Sequence, residues 1–202
     1  MKAILNNILT LAAVMFMASA TIAHAQTTSQ KTIIIMMDGF GESYYRNSEM
    51  PNLNKIEKNG IYKIVPSLMP AVTNVNNIAI ATGTAPAVNG ITGNVYYNAL
   101  KGKEEYIEDP SLIMAPTIFQ RARKHGIKSA LFSCKKKTID LMGAYADISL
   151  CPECDEAKKT KWTSDIGNAP DVYSKEISYW IFKAAIKSIK EDPELGLIYI
   201  HT

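Results

Sequence analysis

Three stretches of the chain are apolar almost without interruption. Thr32-Ile33-Ile34-Ile35-Met36-Met37, Lys128 to Ser133 (KSALFS) and Leu197-Ile198-Tyr199-Ile200 have the length of strands buried on both faces, and the first is rich in β-branched residues. Between them the apolar positions recur at helical spacing. Pro51 to Gly60 (PNLNKIEKNG) predicts a short helix with a glycine stop, and Asn74 to Thr82 a second, with Thr73 near its N-cap. Pro116 to His125 predicts a third, closed by Gly126. Asp171 to Lys190 predicts the longest, with Ile177, Trp180, Ile181, Ala184 and Ile189 along it. Ile61-Tyr62-Lys63-Ile64-Val65 alternates before Pro66 and predicts one more strand. Strands separated by helices imply an α/β fold with a mainly parallel sheet and helices on both faces. No internal repeat, low-complexity segment or second domain breaks this pattern.

The N-terminus has a different pattern. Lys2 precedes an apolar run from about Ile8 to Met17, and Ala23-His24-Ala25 fits the small-x-small cleavage rule. Residues 1–25 therefore read as a signal peptide and residues 26–202 as the mature chain. The run is short of the ~20 residues that span a bilayer, and no cysteine stands at a lipidation position. The expectation is an exported protein, periplasmic or secreted, without a stable membrane anchor.

Charge changes the picture little. With 22 basic and 19 acidic residues the formal net charge is +3, which gives no electrostatic case for a nucleic-acid polymer. Lys135-Lys136-Lys137 and the lysines Lys158, Lys159 and Lys161 are the local concentrations, and a short lysine run is usually a solvated face. Oligomeric state is not legible. Cys134, Cys151 and Cys154 are an odd set; Cys151-Pro152-Glu153-Cys154 is compatible with a local disulfide, free thiols, a redox motif or half of a zinc knuckle.

Sites in parallel sheets collect beyond the carboxyl ends of the strands. Asp38, Cys134-Lys135 and His201-Thr202 all lie there. A carboxylate ending a strand and a hydroxyl opening a helix can build a metal-assisted nucleophile, Asp38 holding the cation and Thr73 attacking phosphorus. Each residue also has an ordinary reading. Asp38 can cap a loop, Thr73 a helix, Asn94 can fill a turn, and Lys135 and Lys137 can be solvated. Spacing alone leaves phosphoryl transfer as one reading among several.

The motifs go further. Asp38-Gly39-Phe40, Pro51-Asn52-Leu53 and Val65-Pro66-Ser67 resemble the opening of the alkaline phosphatase superfamily. Thr73-Asn74-Val75-Asn76-Asn77, Ala81-Thr82-Gly83, Gly93-Asn94, Lys135-Lys136-Lys137 and Pro170-Asp171-Val172-Tyr173-Ser174 most resemble its phosphonoacetate hydrolases, with the nucleotide pyrophosphatase/phosphodiesterases next. The resemblance implies two zinc ions, one held by Asp38 and Thr73, and a phosphothreonine intermediate on Thr73. It implies that Asn94 contacts a phosphoryl oxygen, that Lys135 and Lys137 hold the phosphonate and carboxylate, and that the C–P bond breaks to give acetate and phosphate. The partner is then a small phosphonate or phosphate ester. Diester hydrolysis and a non-catalytic exported binding protein of the same fold are the alternatives.

Two departures from the family pattern stand out. Asn89 replaces a histidine that is no zinc ligand in the family, which touches packing and not catalysis. The further Asp and His zinc ligands have no counterpart: His24 falls in the signal peptide, His125 at a helix end, and His201 at the end of the last strand. The expectation is an alkaline phosphatase-like domain incomplete at its C-terminus, the N-terminal part of a longer reading frame, binding zinc weakly and inactive alone.

Overall fold

The computed structural model describes residues 30–154, 162 and 164–202. The expected signal peptide and the lysines at Lys158, Lys159 and Lys161 lie outside them.

In chain order the elements are β1 (Thr32–Met36), α1 (Glu42–Asn47), α2 (Pro51–Asn59), α3 (Thr73–Thr82), α4 (Pro86–Asn89), β2 (Val95–Asn98), β3 (Lys103–Tyr106), α5 (Ile118–Lys124), β4 (Lys128–Ser133), α6 (Lys136–Met142), β5 (Ile148–Leu150), α7 (Glu176–Glu191) and β6 (Leu195–His201). β1, β6, β4 and β5 form a four-stranded sheet in that order, with every neighbouring pair parallel. β2 and β3 form a separate antiparallel hairpin. The α/β expectation with a mainly parallel sheet holds.

β6 is apolar throughout because it is flanked by a strand on each side and by helices on each face. All its residues are buried. Its alternate side chains feed two cores. Leu197 and Tyr199 pack with Ile78 and Ala81 of α3, Phe119 of α5 and Leu141 and Met142 of α6. Ile198 and Ile200 pack with Ile177, Trp180, Ile181 and Ala184 of α7. Each such side chain contributes roughly 1.5–3 kcal/mol of transfer free energy. β1, at the sheet edge, differs: Ile34 and Met36 join the first core, while Ile33 and Ile35 stay half exposed.

Four expectations need correction. Residues 61–65 form no strand, and Ile61, Ile64 and Val65 are exposed. Their alternation has no neighbouring strand to pair with, and an unpaired strand has nowhere to place its backbone hydrogen bonds. The last long helix begins at Glu176, not Asp171, because Asp171 caps a turn: its carboxylate accepts from Tyr173 N–H at 2.8 Å. Thr117, one residue past Pro116, is the N-cap of α5 and makes a capping box with Gln120. Thr73 is the first helical residue of α3, with Val72 as its N-cap, and its side chain makes no cap bond. The sequence pattern also missed β5, α1, α4, α6 and the β2–β3 hairpin, all short elements with few positions in which a pattern can show.

Candidate active site

The register of the sheet brings the site together. Met36 and Ser133 both pair with His201. Beyond the strands, Asp38 N–H donates to Thr202 O at 2.8 Å and Cys134 N–H to His201 O at 3.0 Å. Asp38, His201 and Lys135 therefore emerge side by side at one carboxyl edge. Gly39 follows Asp38 at φ 71°, a left-handed conformation that a side chain would strain, and the chain turns away there.

α3 delivers Thr73 to this edge. Val75, Ile78 and Ala81 are fully buried and fix the helix against the sheet. A buried chain of hydrogen bonds fixes its first turn. Tyr199 Oη donates to Asn77 Oδ1 at 2.8 Å, and Asn77 Nδ2 donates to Thr73 O at 3.0 Å. Thr73 Oγ1 then donates to Asp38 Oδ2 at 2.9 Å. A hydroxyl whose proton points at a carboxylate keeps its lone pairs directed elsewhere. The first-turn amides and helix dipole of α3 favour a negative group in front of it.

The same Asp38 Oδ2 accepts from the Lys135 ammonium, and His201 Nε2 stands 3.9 Å away. His201 foremost, then Lys135 and Thr73, hold the Asp38 carboxyl far below the usual carboxylate range, outweighing burial, which pushes it up. Asp38 is thus ionised at neutral pH. Lys137, in the first turn of α6, feels both Lys135 and Asp38; burial, and then Lys135, lower its pKa below the ordinary lysine value. Lys136 points away and pairs with Asp140. Asn94 Oδ1 accepts from Asn74 N–H at 3.0 Å, which holds the amide beside the start of α3 and commits its oxygen, leaving the Nδ2 donor for another acceptor. The structure therefore gathers Asp38, Thr73 and Lys135 directly, with Asn94 and Lys137 at their margin.

The Asp38 carboxylate and Thr73 hydroxyl are oxygen donors of the kind a divalent cation takes. Among the described residues no group of three or more His, Cys, Asp and Glu could hold a metal ion, so these two donors by themselves do not complete a metal site.

The profile of the type I phosphodiesterase / nucleotide pyrophosphatase family matches residues 32–202. The chain belongs to this family. Among solved structures, phosphonoacetate hydrolase of Sinorhizobium meliloti 1021 in complex with phosphonoformate superposes at TM-score 0.75 with 29% identity, over 86% of this chain and 46% of that one. The same enzyme in complex with phosphonoacetate gives TM-score 0.73 and 30% identity over the same shares. Murine ectonucleotide pyrophosphatase / phosphodiesterase 5, at TM-score 0.58, 17% identity and coverage of 85% and 43%, shares the fold. An uncharacterised pyrophosphatase/phosphodiesterase of Schizosaccharomyces pombe is 28% identical over 108 residues, 49% of this chain and 22% of its own length. The chain thus spans about half the length of these solved structures. The fold is alkaline phosphatase-like, as the motifs imply.

Within this family fold, His201 is the neighbour of Asp38 that sequence reasoning placed at the strand-end edge without giving it a role. The signal was available: a histidine ending a wholly apolar strand lies at the same sheet edge as Asp38 and Lys135. Of the cysteines, Cys151 and Cys154 are disulfide-bonded with Cα atoms 5.2 Å apart, which selects one of the open readings. Cys134 is free, and burial pushes its thiol up. His125 caps the end of α5 and takes no part in the site.

Proposed function

We propose that this chain carries the nucleophile side of a hydrolase that cleaves phosphonoacetate to acetate and phosphate. The observation that carries the reading is the Thr73 hydroxyl donating to the ionised Asp38 at the start of α3. Asp38 and Thr73 would hold one of two zinc ions, which when bound lower the pKa of the hydroxyl and neutralise charge on phosphorus. Thr73, its backbone carbonyl held by the Tyr199–Asn77 chain, gives up its hydroxyl proton to solvent, and its Oγ attacks phosphorus and forms a P–O bond as the C–P bond breaks. The electron pair leaves with the acetate carbon, which takes a proton from solvent. Water then hydrolyses the phosphothreonine. Asn94 Nδ2 donates to a phosphoryl oxygen as charge builds there. Lys135 and Lys137 attract the phosphonate and carboxylate, which favours departure of an otherwise poor leaving group.

Hydrolysis of phosphate diesters is the second reading, and the match to the nucleotide pyrophosphatase family is what favours it. Both readings use Thr73. The complete gene product, loaded with zinc, is assayed on phosphonoacetate and on a nitrophenyl phosphodiester, with acid-quenched protein analysed for phosphothreonine. Phosphate release from phosphonoacetate with label on Thr73, and a loss of about three orders of magnitude or more in Thr73→Ala, is expected. Activity on the diester alone would select the second reading, and full activity in Thr73→Ala would overturn both. Export to the periplasm or medium is part of the proposal. It rests on the pattern of residues 1–25 and is checked by fractionation and N-terminal sequencing. Among the described residues, no helix is long and apolar enough to cross a membrane.

A further inference from the structure

His201 is completely buried, and its Nε2 is the one buried side-chain nitrogen or oxygen among the described residues without a hydrogen-bond partner. A buried polar atom left unpaired is costly, so its direction carries information. It faces Asp38 Oδ2 at 3.9 Å. The other ring nitrogen is held firmly. Nδ1 lies 3.0 Å from Ser133 Oγ and 3.1 Å from Thr138 Oγ1.

These contacts select a tautomer. Ser133 Oγ accepts from Lys135 N–H and reaches Lys135 O, each at 3.0 Å, so its own proton has an alternative acceptor. Thr138 is buried, and Nδ1 is the acceptor its hydroxyl meets. A proton on Nδ1 would leave the Thr138 proton without an acceptor and aim the Nε2 lone pair at a carboxylate. A proton on Nε2 lets Thr138 donate to Nδ1 and aims an N–H at negative charge. The hydrogen bonds to the Asp38 side chain, from Thr73 and Lys135, both fall on Oδ2 as well.

We propose that His201 is the positioning residue of Asp38: Thr138 fixes its ring so that Nε2–H holds Oδ2, leaving Oδ1 as the oxygen available to a cation. The 3.9 Å separation closes to a hydrogen bond when the site is loaded, as polar contacts in active sites commonly tighten on binding. Outer partners of this kind govern how well a carboxylate presents itself to a metal. The inference rests on the proposed metal-dependent reading, but its first test does not need metal.

That test is the ¹⁵N spectrum of the histidine side chains in the metal-free complete gene product. His201 Nε2 is expected to be protonated, with a signal that shifts in Asp38→Asn; a bare Nε2, or a signal indifferent to Asp38→Asn, overturns the proposal. The second test is calorimetric zinc titration. His201→Leu is expected to weaken zinc binding about 10–100-fold, the usual cost of removing an outer partner. His201→Gln, which keeps a donor, recovers part of that loss, and kcat falls with KM nearly unchanged. Should His201→Leu fail to fold, Thr138→Val keeps the ring but frees it, and must weaken zinc binding while His201 loses its single tautomer. Wild-type zinc affinity in these folded variants overturns the inference. A wild-type protein that binds no zinc yet shows the Nε2–H coupled to Asp38 refutes the metal-dependent function and leaves the His201–Asp38 pairing standing.

Discussion

The two partners of the central hydrogen bond come from regions built on different physics. From Lys31 to Val72 no described side chain is buried, although the segment contains Ile33, Ile35, Ile56, Ile61, Ile64 and Val65. From Asn74 onward, α3, β4, α7 and β6 supply both cores. Thr73 therefore sits on a helix locked by packing, whereas Asp38 is placed by backbone pairing of β1 with β6 and by side chains that reach across to it. The threonine is held by a core and the carboxylate by a strand register. An edge strand with exposed isoleucines is also the least protected part of the sheet.

Core substitutions should separate the regions most sharply. Ile198→Ala, in the central strand, is expected to cost about 2–5 kcal/mol in denaturant unfolding, and Ile35→Ala, half exposed on β1, under about 1 kcal/mol. Equal losses would break the distinction. Lys135 is one of the side-chain bridges between the regions, so Lys135→Ala should act on both. It should lower kcat/KM for phosphonoacetate about 10–100-fold, the worth of a charge-assisted hydrogen bond, with a much smaller effect on a phosphodiester. It should also speed amide exchange around Asp38 and Gly39 while leaving β4 and β6 protected, which hydrogen-exchange mass spectrometry reads residue by residue.

The smallest effect is on acid stability. Because the Asp38 pKa is lowered in the folded state, its ionised form contributes stability that is fully present above the unfolded carboxylate pKa of about 4 and is lost as pH falls below it. The stability difference between wild type and Asp38→Asn should be constant above that pH and shrink below it. A difference that grows on acidification would mean that Asp38 is not held in its charged form.

The legibility of the fold follows the same division. The strands β4 and β6 were readable because a run buried on both faces is largely apolar, a local signature; β1 carries the same apolar run although it is an edge strand with Ile33 and Ile35 half exposed. α3 and the start of the site were readable for a similar reason. Residues 61–65 carried the alternation of a strand without a partner to pair with, so a local pattern misled. β5 escaped because three residues hold too little pattern, and α6 because its lysines read as a solvated run. Among those lysines the sequence could not separate Lys136, which pairs outward with Asp140, from Lys135, which turns in to Asp38.

By itself, then, the sequence determined the α/β class, the strand-end position of Asp38 and Lys135, the helix-start position of Thr73 and, through motifs, the family. Only the tertiary structure decided that β6 lies between β1 and β4. That order is non-local: it depends on which strands share hydrogen bonds across more than sixty residues of chain, as in the Ser133–His201 contact. It is this order that buries His201 and turns a histidine at a strand end into a neighbour of the Asp38 carboxylate.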